Sequence, residues 1–283
     1  MTRLIALGSS FAAGPGIPPQ VDTDAGRSAN NYPNYLARRL NLDPNNTDEF
    51  LDLSVSSATL LNLISEPQDT GKKVYAPQLS LLPELKEGDD GSDAIVTITG
   101  GGNDMFYIGS MFGLTFKNTW WGRLLSYFVL SKEEKEHFEH PTIASPDEIS
   151  QRFATLIDGV QKKYPKATIY LVEYHAMMGP DTKAWRDVCW DQQQVQKYIE
   201  MAEQLQSLYA KAAEGRNNVY VVPLAEESKL KHALGSKEPW VSDGSFWNFK
   251  NRCAYHPNQA GMKAAADIIY DFHTQRSNSK AAS

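Results

Sequence analysis

Three short segments carry residue types that can do chemistry together. Ser10 stands in Gly8-Ser9-Ser10-Phe11-Ala12-Ala13-Gly14-Pro15-Gly16, a run of small residues directly after the apolar stretch Leu4–Leu7. Turns at the carboxyl ends of strands are where open α/β sheets bind ligands, and a serine hydroxyl exposed there can serve as a nucleophile. The competing readings are a plain structural turn and a phosphate-binding glycine loop. The latter needs G-x-x-x-x-G-K-[ST] or G-x-G-x-x-G, and this segment has neither. Thr99-Gly100-Gly101-Gly102-Asn103-Asp104 supplies a neutral amide donor of the kind that holds a developing oxyanion, or else a glycine-rich turn in which Asn103 bonds its own backbone. Tyr255-His256-Pro257-Asn258 supplies an imidazole, either a proton acceptor or a structural histidine at a helix start.

The elements that must position these groups are legible from patterning. Apolar, β-branched runs at Leu4–Leu7, Phe50–Val55, Ala94–Thr99, Thr168–Glu173 and Asn218–Leu224 do not alternate with polar residues. Such runs are expected of strands covered on both faces of a mainly parallel sheet. Segments of helical periodicity lie between them. Ser145-Pro146-Asp147-Glu148 combines an N-cap, a proline at the first helical position and a capping-box glutamate, followed by the stripe Ile149, Phe153, Leu156 and Val160. Asp191–Ala213 reads as a long helix with Val195, Ile199, Ala202, Leu205 and Leu208 inward, and Asn258–Phe272 as a closing helix. The expectation is a three-layer α/β/α sandwich around a five-stranded, mainly parallel sheet. It forms one domain over residues 1–276, with an aromatic-rich insertion at about 105–145 and a frayed tail at 277–283.

Composition excludes several function classes. The 283 residues include 34 acidic and 28 basic side chains, a net charge of −6, so no general cationic field gathers nucleic acid or an anionic surface. The uncharged run Met105–Phe116 is shorter than the roughly 18–20 residues that cross a bilayer. The start, Met1-Thr2-Arg3 before Leu4, holds no signal-peptide core and reads as cytoplasmic, although a secreted mature chain with an added Met1 reads identically. Two cysteines, Cys189 and Cys253, rule out a disulfide scaffold and leave one bridge open. His137, His140, His175, His232 and His273 show no metal-ligand spacing and are expected to be surface or structural residues.

Taken in order, Gly8-Ser9-Ser10, Ser54-Val55-Ser56-Ser57-Ala58-Thr59, Gly101-Gly102-Asn103-Asp104 and His256 resemble the blocks of the SGNH hydrolase family, the GDSL-like lipases and esterases, across nearly the whole chain. The resemblance implies the flavodoxin-like SGNH hydrolase fold, with Ser10 as nucleophile and His256 as its general base. It implies the Ser10 and Ser57 N–H groups with the Asn103 amide as the oxyanion hole. The reaction it implies is hydrolysis of carboxylic esters through an acyl-enzyme on Ser10, without a cofactor.

Three positions depart from the family pattern. Ser9 replaces the aspartate of G-D-S, Ser57 replaces a glycine, and Cys253 stands where a triad aspartate is usual. An imidazole base still needs a partner to fix its tautomer. The Cys253 backbone carbonyl is one candidate, as in Ser-His dyads of the family, and Asp243 is the other. Phe11, Phe106, Tyr107 and His175 are the candidate pocket residues. The dense aromatics from Met105 to Phe128 read equally as an acyl-binding wall or lid and as extra core over the sheet. The expected partner is a small-molecule, carbohydrate or lipid ester. An inactive ligand-binding module on the same fold, and an acyltransferase or thioesterase using the same residues, are the alternatives.

Overall fold

The computed structural model describes residues 2–281 except 129–134, 137 and 139. Its centre is a sheet of five strands: β1 (Arg3–Gly8), β2 (Phe50–Asp52), β3 (Ala94–Thr99), β4 (Thr168–Val172) and β5 (Val219–Val222), in the order β2-β1-β3-β4-β5. All four pairings are parallel. The strand order reverses between β1 and β3, so their carboxyl ends open a crevice at the topological switch point.

The unbroken apolar runs are explained by cover on both faces. Ile5, Leu7, Val96, Ile98, Ile169 and Leu171 point into one core. That core is closed by α3 (Leu60–Ile64), α6 (Pro146–Lys163) and α7 (Gln192–Ala213). On the other face Leu4, Ile95, Tyr170 and Val172 pack against α2 (Tyr32–Arg39), α8 (Leu224–Lys231) and α10 (Gln259–Ala281). Two further helices, α4 (Tyr107–Asn118) and α5 (Trp120–Phe128), occupy the aromatic segment after β3, and the short helix α9 (Phe246–Lys250) precedes His256.

Local signals place the helix starts. Ser145 accepts from the Glu148 N–H while the Glu148 side chain accepts from Ser145 N, a complete capping box with Pro146 inside the first turn. Asp191 and Gln194 make the same reciprocal pair ahead of α7. In α7 the fully buried stripe is Val195, Tyr198, Leu205, Leu208, Tyr209 and Ala212, with Ile199 and Ala202 partly buried beside it. The closing helix is longer than its periodicity predicts: α10 continues to Ala281, through most of the segment expected to fray from Ser277.

The two thiols are unbridged, and Cys253 Sγ lies 3.4 Å from Asn248 Oδ1. Among the described histidines outside the crevice, His232 stacks on Trp240 at 3.8 Å and His273 Nδ1 pairs with the Tyr170 hydroxyl at 2.8 Å. His137 lies outside the described residues.

One buried side chain takes the place of a neighbouring strand at the end of β1. Gln78 accepts from the Gly8 N–H at 2.8 Å and donates to the Gly8 carbonyl at 2.9 Å. The Gln78→Ala variant leaves the Gly8 N–H buried without an acceptor, at a cost of about 1–3 kcal/mol. We expect a lower urea midpoint with an unchanged slope; an unchanged midpoint would mean that water replaces the amide.

Candidate active site

The Ser10 turn begins where β1 meets β3. Gly8 is level with Thr99, and a Cβ at position 8 would lie 2.6 Å from the Thr99 carbonyl oxygen, which only glycine avoids. The Ser9 N–H then donates to Thr99 O at 2.9 Å, and the chain turns at once into α1 (Ser10–Ala13). Gly14, at φ 79°, ends that helix with its N–H on the Ser10 carbonyl. Ser10 is 3% exposed, and neither its Oγ nor its N–H has a protein partner among the described residues.

The second and third blocks converge on this turn. Ser57 has φ 67°, the left-handed conformation that explains why a glycine suits this position. Its N–H has no acceptor among the described residues, whereas Ser56 and Ala58 on either side spend theirs on Ala25 O and Val55 O. Asn103 donates one amide hydrogen to Ala58 O at 2.8 Å, which ties the β3 loop to the Ser57 turn and leaves the second hydrogen available. The next residue fastens the loop from beneath. Asp104 accepts from Leu60 N at 2.9 Å and from Arg152 Nη1 at 2.7 Å. Burial pushes its carboxyl pKa up, against the lowering pull of those two donors.

His256 arrives from the opposite side of the crevice. Val241 bridges Pro257 in antiparallel fashion, Ser242 N donates to His256 O at 2.9 Å and Tyr255 N to Ser242 O at 3.0 Å. The ring Nδ1 lies 2.6 Å from the Ala254 carbonyl oxygen. A carbonyl only accepts, so Nδ1 carries the proton and Nε2 of the neutral ring presents a lone pair. Burial pulls the ring's pKa down to about 4, outweighing the Ala254 carbonyl.

Neither expected orienting group holds the ring. The Cys253 carbonyl accepts the backbone N–H of His256 instead, and Asp243 is exposed, with Oδ1 engaged by Ser245 N and Asn248 Nδ2. The Phe11 ring, beside Ser10, lies 5.6 Å from the His256 ring. Ser10 Oγ and His256 Nε2 are not hydrogen-bonded to each other, and hydrogen bonds between catalytic groups often tighten only with substrate present.

The pocket candidates fare differently from the site residues. Phe11 is 1% exposed and stacks on Tyr174 at 3.9 Å, so it supports the turn from behind. Tyr107 is buried against Tyr198, and Phe106 is buried near Phe138. His175 is buried, with Nε2 3.0 Å from Gly261 O, because the backbone after β4 leads inward. Burial also pulls the His175 pKa down to about 4. None of these four forms an open wall.

The wall beside His256 is instead aromatic and partly from α9. Phe112 lies 6.2 Å from the His256 ring and 4.9 Å from Phe249, which lies 5.3 Å from Trp121. The three-residue spacing of Phe246 and Phe249 after Ser245 was the available signal for that helix. A cavity of about 460 Å³ lies farther out, lined by Trp120, Trp121, Leu124, Leu125, Phe128 and Phe246. It contains neither Ser10 nor His256. Among the described residues, no three His, Cys, Asp or Glu side chains gather as a metal site.

Residues 6–264 match the model of the GDSL-like Lipase/Acylhydrolase family, and the chain belongs to that family. Its fold is similar to that of an extracellular lipase from Streptomyces rimosus, at 19% identity and TM-score 0.63, covering 96% of this chain and 99% of that one. It is similar also to phospholipase A1 from Streptomyces albidoflavus NA297, at 16% identity and TM-score 0.65, covering 95% and 97%. No curated protein matches the chain.

The left-handed backbone at Ser57 gives a direct test of this geometry. Ser57→Gly removes the steric cost of that φ and keeps the N–H, so thermal unfolding should show a gain of about 0.5–1 kcal/mol. A loss would mean that the Ser57 side chain itself secures the turn.

Proposed function

We propose that the protein is a serine esterase in which Ser10 is the nucleophile and His256 the general base. The observation that carries this reading is the set of unspent donors. The N–H groups of Ser10 and Ser57 and one hydrogen of the Asn103 amide lack protein acceptors among the described residues, and they belong to three loops leaving adjacent strands at one sheet edge. Donors left open in this way suit charge that appears only during reaction.

In the proposed reaction Ser10 Oγ attacks the ester carbonyl carbon while His256 Nε2 takes its proton. The carbonyl oxygen becomes an oxyanion facing the three donors. Collapse breaks the bond to the alcohol oxygen, which takes the proton from His256 and leaves an acyl group on Ser10. Water, deprotonated by the same imidazole, then attacks the acyl carbon; the carboxylic acid departs and Ser10 regains its proton. Ala254 O keeps Nδ1 protonated throughout and partly offsets the charge of the imidazolium.

The substrate class we infer is an ester with an apolar acyl or alcohol group. Phe112 and Phe249 beside His256 support it, and the similar folds named above include a lipase and a phospholipase.

Turnover of p-nitrophenyl esters tests the assignment. Ser10→Ala and His256→Ala should each lose at least about 10³-fold in kcat, and Asn103→Ala about 10²–10³-fold, with folding intact. Retained activity in Ser10→Ala would overturn the reading. A second check uses pH. His256 acts as a base only when neutral, so kcat/KM should hold as pH falls below 6.5 and be lost through about 4, where the buried ring protonates. An acid limb near 6.5 would mean that the ring is solvated or paired with a carboxylate in the working enzyme.

A further inference from the structure

Ser9 precedes α1 as its N-cap, where a serine side chain ordinarily accepts from an N–H two or three residues on. Here it makes no such cap. Its Oγ is turned away and lies 2.6 Å from the Tyr174 hydroxyl, with both groups buried. Tyr174 reaches that point because β4 ends at Val172 and delivers the ring beneath the crevice, stacked on Phe11 at 3.9 Å and 15°. The third element touching the ring is the oxyanion loop. A Cβ on Gly102 would lie 2.5 Å from Tyr174 Cε2 and 3.1 Å from its hydroxyl oxygen. One side chain therefore contacts the residue before Ser10, the residue after it and the residue before Asn103.

We propose that Tyr174 is a positioning residue for acyl transfer: its hydroxyl holds the Ser9 side chain off the start of α1, and its ring fixes the distance between the Ser10 turn and the Asn103 loop. The Phe11 N–H has no protein acceptor among the described residues, so a released Ser9 hydroxyl has a backbone donor within its usual capping reach. Capping there would draw Ser9 toward the helix and move the Ser10 N–H with it. The Tyr174–Ser9 contact prevents that competition and keeps the Ser10 N–H and the Asn103 amide directed at one oxygen. It also gives a physical account of the serine at position 9. The site of a family aspartate is filled by a neutral hydroxyl whose partner is a buried phenol. Burial raises the phenol's pKa further above its ordinary value, so it stays protonated wherever the enzyme would work. A carboxylate in that place would have to be desolvated beside it.

This proposal rests on the esterase reading, and its consequences differ from those of a packing role. A device that aligns donors for the oxyanion acts in the transition state, so its loss lowers kcat and leaves KM in place. Tyr174→Phe keeps the ring and removes the hydroxyl, and Ser9→Ala removes the other half of the contact. On a soluble p-nitrophenyl ester each should lower kcat about tenfold, the size of one buried hydrogen bond, with KM unchanged. The double variant should be no slower than either single one, because both remove the same interaction. Thermal midpoints are recorded alongside. A lowered midpoint with unchanged kcat, or losses that multiply in the double variant, would overturn the positioning role. Labelling of Ser10 by a fluorophosphonate, read by mass spectrometry, separates the two levels of inference. If the unaltered protein neither turns over ester nor labels at Ser10, the esterase reading falls and the positioning role falls with it. If it does both and Tyr174→Phe matches it in kcat and labelling rate, only the positioning role falls.

Discussion

The constraint on which the site depends is the close approach of β1 and β3 at their carboxyl ends. Gly8 and Thr99 finish level, and the Thr99 carbonyl occupies the space a side chain at position 8 would need. From that contact the other links follow in order. Ser9 N bonds Thr99 O, Val55 N bonds Gly8 O, and Gln78 completes the bonding of Gly8 from the side. The loops after β1, β2 and β3 therefore leave the sheet from one level, and the Asn103 bond to Ala58 O joins two of them again above it. Parallel pairing of buried strands fixes these starting points by backbone hydrogen bonds, which do not depend on flexible side chains. This brings the loops that carry the Ser10, Ser57 and Asn103 donors to one level of the sheet although they come from three distant parts of the chain.

The histidine is held by weaker means, with a consequence for the proposed chemistry. A carboxylate beside Nδ1 would favour the imidazolium and raise the ring's pKa. The Ala254 carbonyl fixes the tautomer but brings only a dipole, and burial then dominates, leaving the pKa at about 4. Such a ring is neutral over a wide pH range but is a weaker proton acceptor than one near 7. In the proposed chemistry the larger share of transition-state stabilisation then falls to the candidate oxyanion donors, where fixed backbone geometry counts most. The backbone-held loops of Ser10, Ser57 and Asn103 and a histidine that, among the described residues, bonds a carbonyl in place of a carboxylate are two sides of one arrangement in that proposed chemistry.

Much of this was legible in the sequence because it is encoded locally. The five strands announce themselves as apolar runs without alternation, and the capping boxes at Ser145 and Asp191 depend on residues three apart. The blocks holding Ser10, Asn103 and His256 are each contiguous, and the family match spans them. What the sequence concealed depends on turns of unusual backbone or on contacts across long separations. Arg252 and Tyr255 both have positive φ, at 60° and 54°, so the chain before His256 winds tightly and the ring meets Ala254 where Cys253 was expected. Gln78 lies 70 positions from Gly8, Tyr174 165 from Ser9, and Arg152 48 from Asp104. Nothing in the local pattern of Gln78 or Tyr174 distinguishes them from any buried amide or phenol. The burial of His175 was not legible for a related reason: a residue after a buried strand can face the crevice or the core, and the strand's apolar run does not reveal which.

The aromatic segment after Asn103 divides between the two roles its composition allows. Tyr107, Ile108, Met111 and Thr115 on α4 are buried, as extra core would be, and Thr115 bonds the Tyr255 hydroxyl at 2.7 Å beside the histidine. On α5, Trp120, Tyr127 and Phe128 are more than two-thirds exposed, while Trp121 packs against Phe246 and Phe249. One helix thus braces the histidine's loop and the next faces outward with apolar side chains. The proposed nucleophile and oxyanion donors sit on loops that leave strand ends held by the backbone, whereas the surfaces that would meet a substrate's apolar part are helices outside the sheet. Substitutions on α5 can change the shape of the crevice's rim without moving Ser10, Ser57 or Asn103, because among the described residues no hydrogen bond runs from α5 to the loops that carry them. Substrate preference in such an architecture is free to vary while the acyl-transfer geometry stays fixed.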